Sequence, residues 1–339
     1  MSALTVTEDA VREPLRLAAR PVVAVLIPCY NESAAIGRVV HDFRTALPNA
    51  SIFVYDNNST DDTCEVARRA GAIVRREPQR GKGNVVRRMF ADVEADVFVL
   101  VDGDDTYDAS CVSILIDRLL KDSLDMVNAA RTAQSDGAYR PGHRFGNLFL
   151  TGCVAYVFGN RLSDMLSGYR VFSRRFVKSF PALSAGFEIE TELTVHALEL
   201  RLPIAEVPAH YGERPTGSAS KLNTYRDGLR ILMTIFNLVK LEKPLQFFGA
   251  GFLLLALAAV AVELPVIATY LKTGLVPRLP TAILGTGMML LAFLSLVCGL
   301  VLDTVTRGRI ELKRLHYLAV PLRFNYIGDD LRPAPRLDE

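Results

Sequence analysis

Acidic residues directly after a strand-like run are the first candidates for chemistry in this sequence. The run at 96–101 reads DVFVLV, and Asp-Gly-Asp-Asp follows it at 102–105. Asp102 and Asp104 flank a glycine, so two carboxylates can converge on one divalent cation while a ligand approaches the backbone closely. Mg²⁺ and Mn²⁺ prefer such oxygen ligands and keep positions open for diphosphate oxygens. Because acidic turns are also common in solvated loops, the motif gains its weight from its position and from neighbouring motifs.

A second candidate is the loop Arg-Gly-Lys-Gly at 80–83, which opens a predicted helix. Such a loop can present backbone N–H groups and the Lys82 ammonium to a phosphate. The Walker A pattern is absent, and no GxGxxG follows the first strand, which counts against a dinucleotide oxidoreductase. No GxSxG, HExxH or kinase motif set occurs, and none of the five histidines pairs at a metal-ligand spacing.

The elements that must position these residues alternate between strands and helices. Strands are predicted at 22–27, 51–55, 72–75 and 96–101. Helices are predicted between them, one from about 33 to 46, one that follows the polar turn at 56–63 and ends at 70, and one at 84–91. This alternation predicts an α/β fold with a mostly parallel sheet. Ligands of such sheets bind beyond the carboxyl ends of the strands. The polar clusters at 29–32, 56–62 and 102–105 all lie at those ends.

Composition excludes several classes of protein. The net charge of +2 gives nucleic-acid binding no support. The five cysteines are scattered and never form CxxC, so neither a disulfide framework nor a zinc site is predicted. Residues 1–20 form a polar tail without the apolar region of a signal peptide, which predicts that the soluble part stays in the cytoplasm.

Two apolar stretches near the C-terminus predict a transmembrane hairpin. They cover 244–271 and 279–302, and each reaches the ~20 residues that cross a bilayer. A buried hairpin of a soluble core is the alternative, but two adjacent runs make it improbable. Basic residues concentrate on the two outer flanks, so the positive-inside rule places both termini, including the tail 303–339, in the cytoplasm. We therefore expect a multi-pass protein of the inner, cytoplasmic membrane.

Two further features belong to this region. Glu263 interrupts the first span, and counted from Phe247 it lies roughly 24 Å along the helix, which favours a residue at the far interface over a catalytic one. Apolar residues at spacings of three and four between 222 and 243 predict an amphipathic juxtamembrane helix. That helix can lie in the interface plane or pack on the soluble domain.

The ordered set of motifs resembles the inverting glycosyltransferases of the GT-A fold. More narrowly it is similar to the polyprenyl-phosphate glycosyltransferases of glycosyltransferase family two, the group of dolichol-phosphate mannose synthase and bacterial glucosyl-undecaprenyl-phosphate synthase. The motifs are VLIPCYNE at 25–32, VYDNNSTDDT at 54–63, RGKG at 80–83, VLVDGDDTYD at 99–108, LSGYRVFSRR at 166–175, FEIETEL at 187–193 and RPTGSASKL at 214–222. The resemblance covers about 21–230 and implies a Rossmann-like catalytic domain over 21–221, followed by the juxtamembrane helix and the two spans.

The resemblance implies roles for the donor side of the site. Residues that line the nucleotide pocket or hold its base and phosphates would be Pro28, Tyr30, Glu32, Asp56 and Lys82. Asp102 and Asp104 would sit at the metal and the diphosphate, with Asp104 the surer metal ligand. Some relatives carry a further metal-ligating glutamine where this chain has Thr106, so a third protein ligand is not predicted.

The remaining roles concern the sugar and the acceptor. Glu188 and Glu190 lie where relatives shape the sugar site. Phosphates of donor or acceptor would be gathered by Arg131, Arg144, Arg214, Ser220 and Lys221, of which Arg214 and Lys221 are predicted to act in catalysis with the two aspartates. For Arg214 and Lys221 the alternative is membrane-surface charge, and for Arg131 and Arg144 it is a solvated loop arginine.

The predicted reaction needs no strong general base. A lipid monophosphate has a second pKa near ~6, so at neutral pH it is largely a dianion that can attack an anomeric carbon itself. The protein must hold two anions together and stabilise the leaving diphosphate, which calls for Mg²⁺ or Mn²⁺ and basic side chains. We therefore predict inverting transfer of one hexose from a nucleotide-diphosphate sugar, with UDP-glucose preferred over GDP-mannose, to undecaprenyl or dolichyl phosphate.

Three other functions fit the sequence less well. A polysaccharide synthase with another acceptor needs more spans and a QxxRW-type motif, whereas this chain has two spans and no tryptophan. A non-catalytic membrane scaffold is disfavoured by the intact Asp102, Asp104 and Lys221. A transporter would leave the large soluble domain unexplained. The sequence does not define the oligomeric state, although exposed hairpins often pack against copies of themselves, so a homo-oligomer is compatible with it.

Overall fold

The computed structural model describes residues 21–133, 162–212 and 241–321, together with single positions 152, 233, 236, 237, 239 and 240. Predictions for residues 1–20, for most of the juxtamembrane segment 222–243 and for the end of the C-terminal tail lie outside the described residues. The elements, in chain order, are β1 (Val23–Cys29), α1 (Ile36–Ala46), β2 (Ser51–Asp56), α2 (Thr63–Arg69), β3 (Ile73–Arg76), α3 (Lys82–Asp92), β4 (Val97–Leu100), α4 (Val112–Lys121), β5 (Met126–Ala133), β6 (Arg170–Ser173), α5 (Arg174–Ser179), α6 (Ile189–Glu199), β7 (Ile204–Tyr211), α7 (Pro244–Thr273) and α8 (Leu279–Ala319).

Seven strands of the described chain form one mixed sheet in the order β3-β2-β1-β4-β6-β5-β7. The first four are parallel, as are β5 and β7, while β6 runs antiparallel to both β4 and β5. The prediction of a mostly parallel α/β sheet is confirmed. Every residue of β4 is buried, as expected for a strand covered on both faces.

The sheet separates two hydrophobic cores. On one face α1 and α4 contribute Phe43 and Leu115 to a core under β1 and β4, and on the other face α3 and α6 contribute Met89 and Leu193. The parallel register aligns Cys29 of β1 with the end of β2. The carboxyl ends of β1, β2 and β4 therefore meet at one edge, where the sequence places its polar clusters.

Two helices, α7 and α8, are long and apolar enough to cross a membrane, with mean hydropathy of 2.4 and 2.3 in their most apolar windows. Buried positions on α8 recur every seven residues, at Gly285, Ala292, Gly299 and Thr306. A seven-residue repeat of small side chains allows two helices to pack closely along one seam. The outward side chains are mostly exposed leucine, valine and phenylalanine, as expected for a surface that faces lipid.

Glu263 lies in this seam and not on the outer surface. Its side chain fills the space that Gly285 leaves, and the Thr286 hydroxyl lies 3.4 Å from its Oε1. Helix α7 continues through Pro265 to Thr273. Glu263 is thus a helix–helix contact near the connector end of the hairpin, a placement compatible with the predicted interface position.

Helix α8 differs from the sequence expectation in its length. The apolar run ends at Leu302, but the helix continues to Ala319 and turns Ile310 and Tyr317 toward the second core of the α/β domain. The charged segment after Leu302 was expected to be tail. Its contact with the domain is made by Ile310 and Tyr317, whereas Leu312, Leu315 and Leu318 are exposed, so the pattern of apolar residues alone does not reveal it.

Close packing of the hairpin predicts a size limit at Gly299. A Cβ there would lie 3.0 Å from the Phe248 Cβ and 3.6 Å from the Leu245 Cα, whereas nothing lies within 4 Å of a Cβ on Gly287. We expect Gly299→Leu to separate the helices and lower the stability of the detergent-solubilised protein by about 1–3 kcal/mol. Thermal unfolding checks this, with Gly287→Leu as the matched control. Equal losses for the two variants would contradict the packing.

Candidate functional site

The loop after β4 turns its successive acids in different directions. Asp104 is buried, and its Oδ1 accepts hydrogen bonds from the Thr106 hydroxyl at 2.6 Å and from the Thr106 N–H at 3.3 Å. Gly103 is wedged against the Cys29 sulfur, where a side chain would not fit. Asp105 adopts a φ of 60° and pairs with Arg38 at the surface. The loop therefore fixes Asp104 inward and Asp105 outward.

The central interaction of the site is a double ion pair made by Lys82. Its Nζ lies 2.5 Å from Asp102 Oδ1 and 2.5 Å from Glu190 Oε1, and only 9% of the lysine side chain is exposed. Burial alone would lower the pKa of Lys82, but the charges of Asp102 and Glu190 outweigh burial and raise it above that of an exposed lysine. Lys82 thus stays a cation that joins the loop after β4 to helix α6.

The loop that carries Lys82 is held by backbone contacts that require glycine. Gly81 has a φ of 123°, and a Cβ at Gly81 or Gly83 would overlap the backbone of Ala185 and Ser184. The Gly83 N–H donates to the Ala185 carbonyl at 3.0 Å. The sequence predicted a phosphate-binding loop here. The structure adds that the same glycines let the segment 184–186 lie directly on it.

Two glutamates lie at the start of α6. Glu190 is buried beside Lys82, and Glu188 occupies the N-cap position without a side-chain capping bond. Glu188 Oε2 and Glu190 Oε2 are buried and have no hydrogen-bond partner within the described segments. Burial raises the pKa of Glu190, Lys82 opposes that rise, and the charge of Asp102 adds to it. Buried carboxylate oxygens normally have a donor or a cation, so these two are suited to ligand hydroxyl groups or a metal.

Sequence reasoning missed the support beneath this centre, although it quoted the motif that contains it. Arg170 is fully buried and donates to the Ser167 carbonyl at 3.0 Å, the Met165 carbonyl at 2.5 Å and the Thr194 hydroxyl at 2.9 Å. These bonds hold the segment 165–168, in which Gly168 lies against the Asp102 carboxylate. The signal was an arginine at the start of an otherwise apolar strand.

The predicted base-binding region lies at the carboxyl end of β2. Asp56 is fully buried, accepts from the Ser59 N–H at 3.1 Å and lies 3.5 Å from the Arg76 guanidinium. Asn57 accepts from the Gly81 N–H at 2.7 Å, which ties this loop to the one that carries Lys82. Nearer the surface, Pro28 is partly buried, Tyr30 is exposed and Glu32 is buried.

Among the predicted phosphate-binding residues, Arg131 is described, and Arg144, Arg214, Ser220 and Lys221 lie outside the described residues. Arg131 donates from Nε and Nη2 to Asp164, at 2.7 and 2.8 Å, and its guanidinium lies over the Tyr211 ring. Two of its three nitrogens are thus directed at a protein carboxylate. Its role at a phosphate stays a prediction.

The side chains after β4 are the candidate ligands of a divalent metal. In the described part of the chain no group of three or more His, Cys, Asp or Glu side chains could hold a metal ion. Thr106 donates its hydroxyl to Asp104 and does not replace a third acidic ligand. Asp102 and Asp104 supply two carboxylates, which fits Mg²⁺ or Mn²⁺ bound through one or two carboxylates plus the phosphates of a ligand.

Known proteins of the family that the motifs resemble match this chain. The family model "Glycosyl transferase family 2" matches residues 24–180. The glycosyltransferase AglJ of Haloferax volcanii is 34% identical over 229 residues, covering 67% of this chain and 75% of AglJ. A dolichyl-phosphate hexose transferase of the same organism is 29% identical over 224 residues, covering 66% of this chain and 96% of that protein.

A solved structure shows the same fold. The glucosyl-3-phosphoglycerate synthase of Mycobacterium tuberculosis, in complex with Mn²⁺, UDP and glucosyl-3-phosphoglycerate, superposes with a TM-score of 0.52 at 24% identity. The match covers 64% of this chain and 80% of that protein. The prediction of a GT-A-type α/β domain followed by two apolar helices is therefore confirmed.

The double ion pair predicts a large and pH-dependent effect of Lys82→Met. The variant leaves Asp102 and Glu190 as uncompensated carboxylates, so we expect a loss of about 3 kcal/mol or more at pH 7.5. Burial holds the folded-state pKa of Glu190 above its ordinary value, and removal of the lysine removes the charge that opposes this rise. The deficit should therefore grow as pH rises and shrink as pH falls toward 4, as Glu190 becomes protonated.

Thermal unfolding across this pH range measures the deficit. Lys121→Met is the matched control, because Lys121 is an exposed lysine whose nearest carboxylate lies 3.9 Å away. A deficit that is the same at every pH, or one that Lys121→Met reproduces, would show that Lys82 does not neutralise buried acids.

Proposed function

The chain belongs to glycosyl transferase family 2, and we propose that it transfers one hexose, with inversion, from a nucleotide-diphosphate sugar to a polyprenyl phosphate. The product would be a lipid-linked sugar donor for cell-envelope glycan or glycoconjugate assembly. The observation that carries the proposal is the buried Asp102–Lys82–Glu190 centre on a domain that packs directly against a helix of the apolar hairpin. A water-soluble donor and a membrane-bound acceptor can both reach such a centre.

The donor is proposed to lie across the carboxyl edge of β1, β2 and β4. Asp56 and the loop at 28–32 would hold the nucleoside, with UDP preferred over GDP. Support comes from Asp56, which accepts from the Ser59 N–H in the loop after β2, and from Asn57, which accepts from the Gly81 N–H and so joins that loop to the Lys82 loop. A glucosyl-3-phosphoglycerate synthase of the same fold was crystallised with Mn²⁺ and UDP-glucose, which is in line with this choice.

Lys82 is proposed to serve the diphosphate. In the structure its charge is balanced by Asp102 and Glu190. A donor diphosphate beside Asp102 would compete for the ammonium and gain a charge-assisted hydrogen bond from it. Glu190 and Glu188, whose Oε2 atoms have no partner among the described residues, would then accept from sugar hydroxyl groups and orient the ring. When bound, Mg²⁺ or Mn²⁺ on Asp104 and Asp102 would offset the negative charge of the leaving diphosphate.

The acceptor phosphate is proposed to attack the anomeric carbon directly. As a dianion it needs no general base, and the chain must instead gather its charge close to the donor. Arg131, at the end of β5, is the described candidate, with Arg144, Arg214, Ser220 and Lys221 proposed from the motifs. The transfer forms a bond from the lipid phosphate oxygen to the sugar and releases the nucleoside diphosphate.

The proposed topology places the catalytic domain and both termini in the cytoplasm, in the inner membrane. It rests on basic residues at both outer flanks, Lys240 and Lys243 before α7 and Arg307 and Arg314 within α8, against Lys272 and Arg278 in the connector. This arrangement gives the domain access to cytoplasmic nucleotide sugars.

A direct assay tests the proposal. The purified protein in detergent is incubated with undecaprenyl phosphate and a panel of radiolabelled UDP- and GDP-sugars, with Mg²⁺ or Mn²⁺ and with EDTA. We expect metal-dependent label in the lipid phase from one donor, with UDP-glucose the first candidate. A folded protein that labels the lipid from no donor would overturn the proposal and favour the scaffold function or another acceptor.

Within that assay, Asp104→Ala should abolish turnover while membrane insertion and folding persist. Asp104 is the buried carboxylate that the Thr106 hydroxyl orients, and its loss removes the surer metal ligand. Asp105→Ala is the matched control, because Asp105 is the next residue but pairs with Arg38 at the surface. Turnover retained by Asp104→Ala, or lost equally in both variants, would refute the role of Asp104.

A further inference from the structure

Helix α8 extends beyond its apolar run and binds the catalytic domain. We call residues 303–319 the α8 extension. Tyr317 and Ile310 pack against the core that contains Phe176 and Met89. The α7–α8 hairpin is therefore attached to the domain at two places. One is the chain segment before α7, and the other is α8 itself, which returns to the domain and packs on it.

Tyr317 anchors the distal end of the extension. Its hydroxyl donates to Asp125 Oδ2 at 2.8 Å, and Asp125 is buried at the start of β5. The other Asp125 oxygen accepts from the Ser173 hydroxyl at 2.6 Å at the end of β6. The Arg175 guanidinium lies over the Tyr317 ring and donates from Nε to the Val320 carbonyl at 3.0 Å. This end is thus attached to two strands of the central sheet.

Lys313 connects the extension to the helix that carries the site glutamates. Its Nζ lies 2.6 Å from Glu199 Oε2, and the Glu199 side chain is only 3% exposed. Glu199 is the last residue of α6, and Glu190 is the second. The two residues are ~14 Å apart along the axis of one helix. The extension is thus bonded to the far end of the helix that carries Glu190.

The start of the first membrane helix joins the same junction. The Leu241 carbonyl accepts from the Thr306 hydroxyl at 2.8 Å, and Arg309 Nη2 lies 2.8 Å from Glu242 Oε1. Glu242 and Glu199 are buried neighbours. Burial, together with the hydrogen bond to Glu199 and the charge of Glu199, raises the pKa of Glu242 to about 7. The hairpin, α6 and the extension are thus fastened together at one buried cluster.

We propose that the α8 extension is a positioning element, in which Lys313 and Tyr317 hold the catalytic domain at one height and orientation over the bilayer. The inference rests on the proposed function, because height over the bilayer matters only for an acceptor whose phosphate lies at the membrane surface. A domain on a loose tether would sample many orientations and lose the favourable alignment of donor and acceptor, which costs rate even when every active-site residue is intact.

The proposal predicts a split between acceptors. With long-chain undecaprenyl phosphate in nanodiscs, Lys313→Met and Tyr317→Phe together should lower kcat/KM by about tenfold or more. With a short-chain, water-soluble isoprenyl phosphate, which diffuses to the site, kcat/KM should stay within about twofold, and UDP affinity should not change. Arg314→Met with Tyr270→Phe is the matched control, because it deletes one cation on α8 and one hydroxyl on α7, both at exposed positions.

A distance measurement tests the same claim without turnover. Spin labels introduced bio-orthogonally at Ile114 on α4 and at Leu275 in the connector, both exposed, report the distance between domain and hairpin in nanodiscs. We expect a narrow distance distribution in the parent and in the control, and a broad one in the double variant. A narrow distribution in all three proteins would overturn the proposal, as would an equal loss with both acceptors accompanied by weaker UDP binding. If the parent transfers to neither acceptor, the proposed function fails, while the distances still decide the positioning claim.

Discussion

The architecture of the site depends on one buried cation that two carboxylates share. Lys82 lies between Asp102 and Glu190, and these residues come from three separate parts of the chain. Each acid alone would be costly to bury, and the lysine alone would lose its charge. Gly81 and Gly83 lie against the segment 184–186. This close backbone contact brings Lys82 and Glu190 together.

Much of the fold follows from local sequence patterns. The buried run at 97–100, its neighbours β1 to β3 and the two spans are each specified by residues close together in the chain. Antiparallel β6 was not predicted, because four residues that begin with a buried arginine do not read as a strand. The extent of α8 was also missed, since the charged segment after Leu302 becomes helical through contacts of Ile310 and Tyr317 with a distant core.

The sequence indicated which residues are candidates for the site, but not which of them contact one another. Lys82 was predicted at a phosphate and Asp102 at the metal and diphosphate, and the resemblance placed Glu190 at the sugar. Spacing along the chain could not show that one ammonium bridges the other two, because that contact spans 108 residues. The full set of bonds made by Arg170 was missed for the same reason, since its partner Thr194 becomes a neighbour only when α6 packs on the sheet.

The charge balance around Lys82 also determines how a metal ion would bind in the site. The described residues contain no group of three or more acidic, His or Cys ligands, and Lys82 already neutralises Asp102. We therefore expect that Mn²⁺, followed by electron paramagnetic resonance of the free ion, binds weakly to the protein alone. It should bind at least about tenfold more tightly when UDP or GDP supplies phosphate oxygens. Equally tight Mn²⁺ binding with and without nucleotide, or no binding in either case, would contradict a metal site that Asp102 and Asp104 share with the nucleotide phosphates.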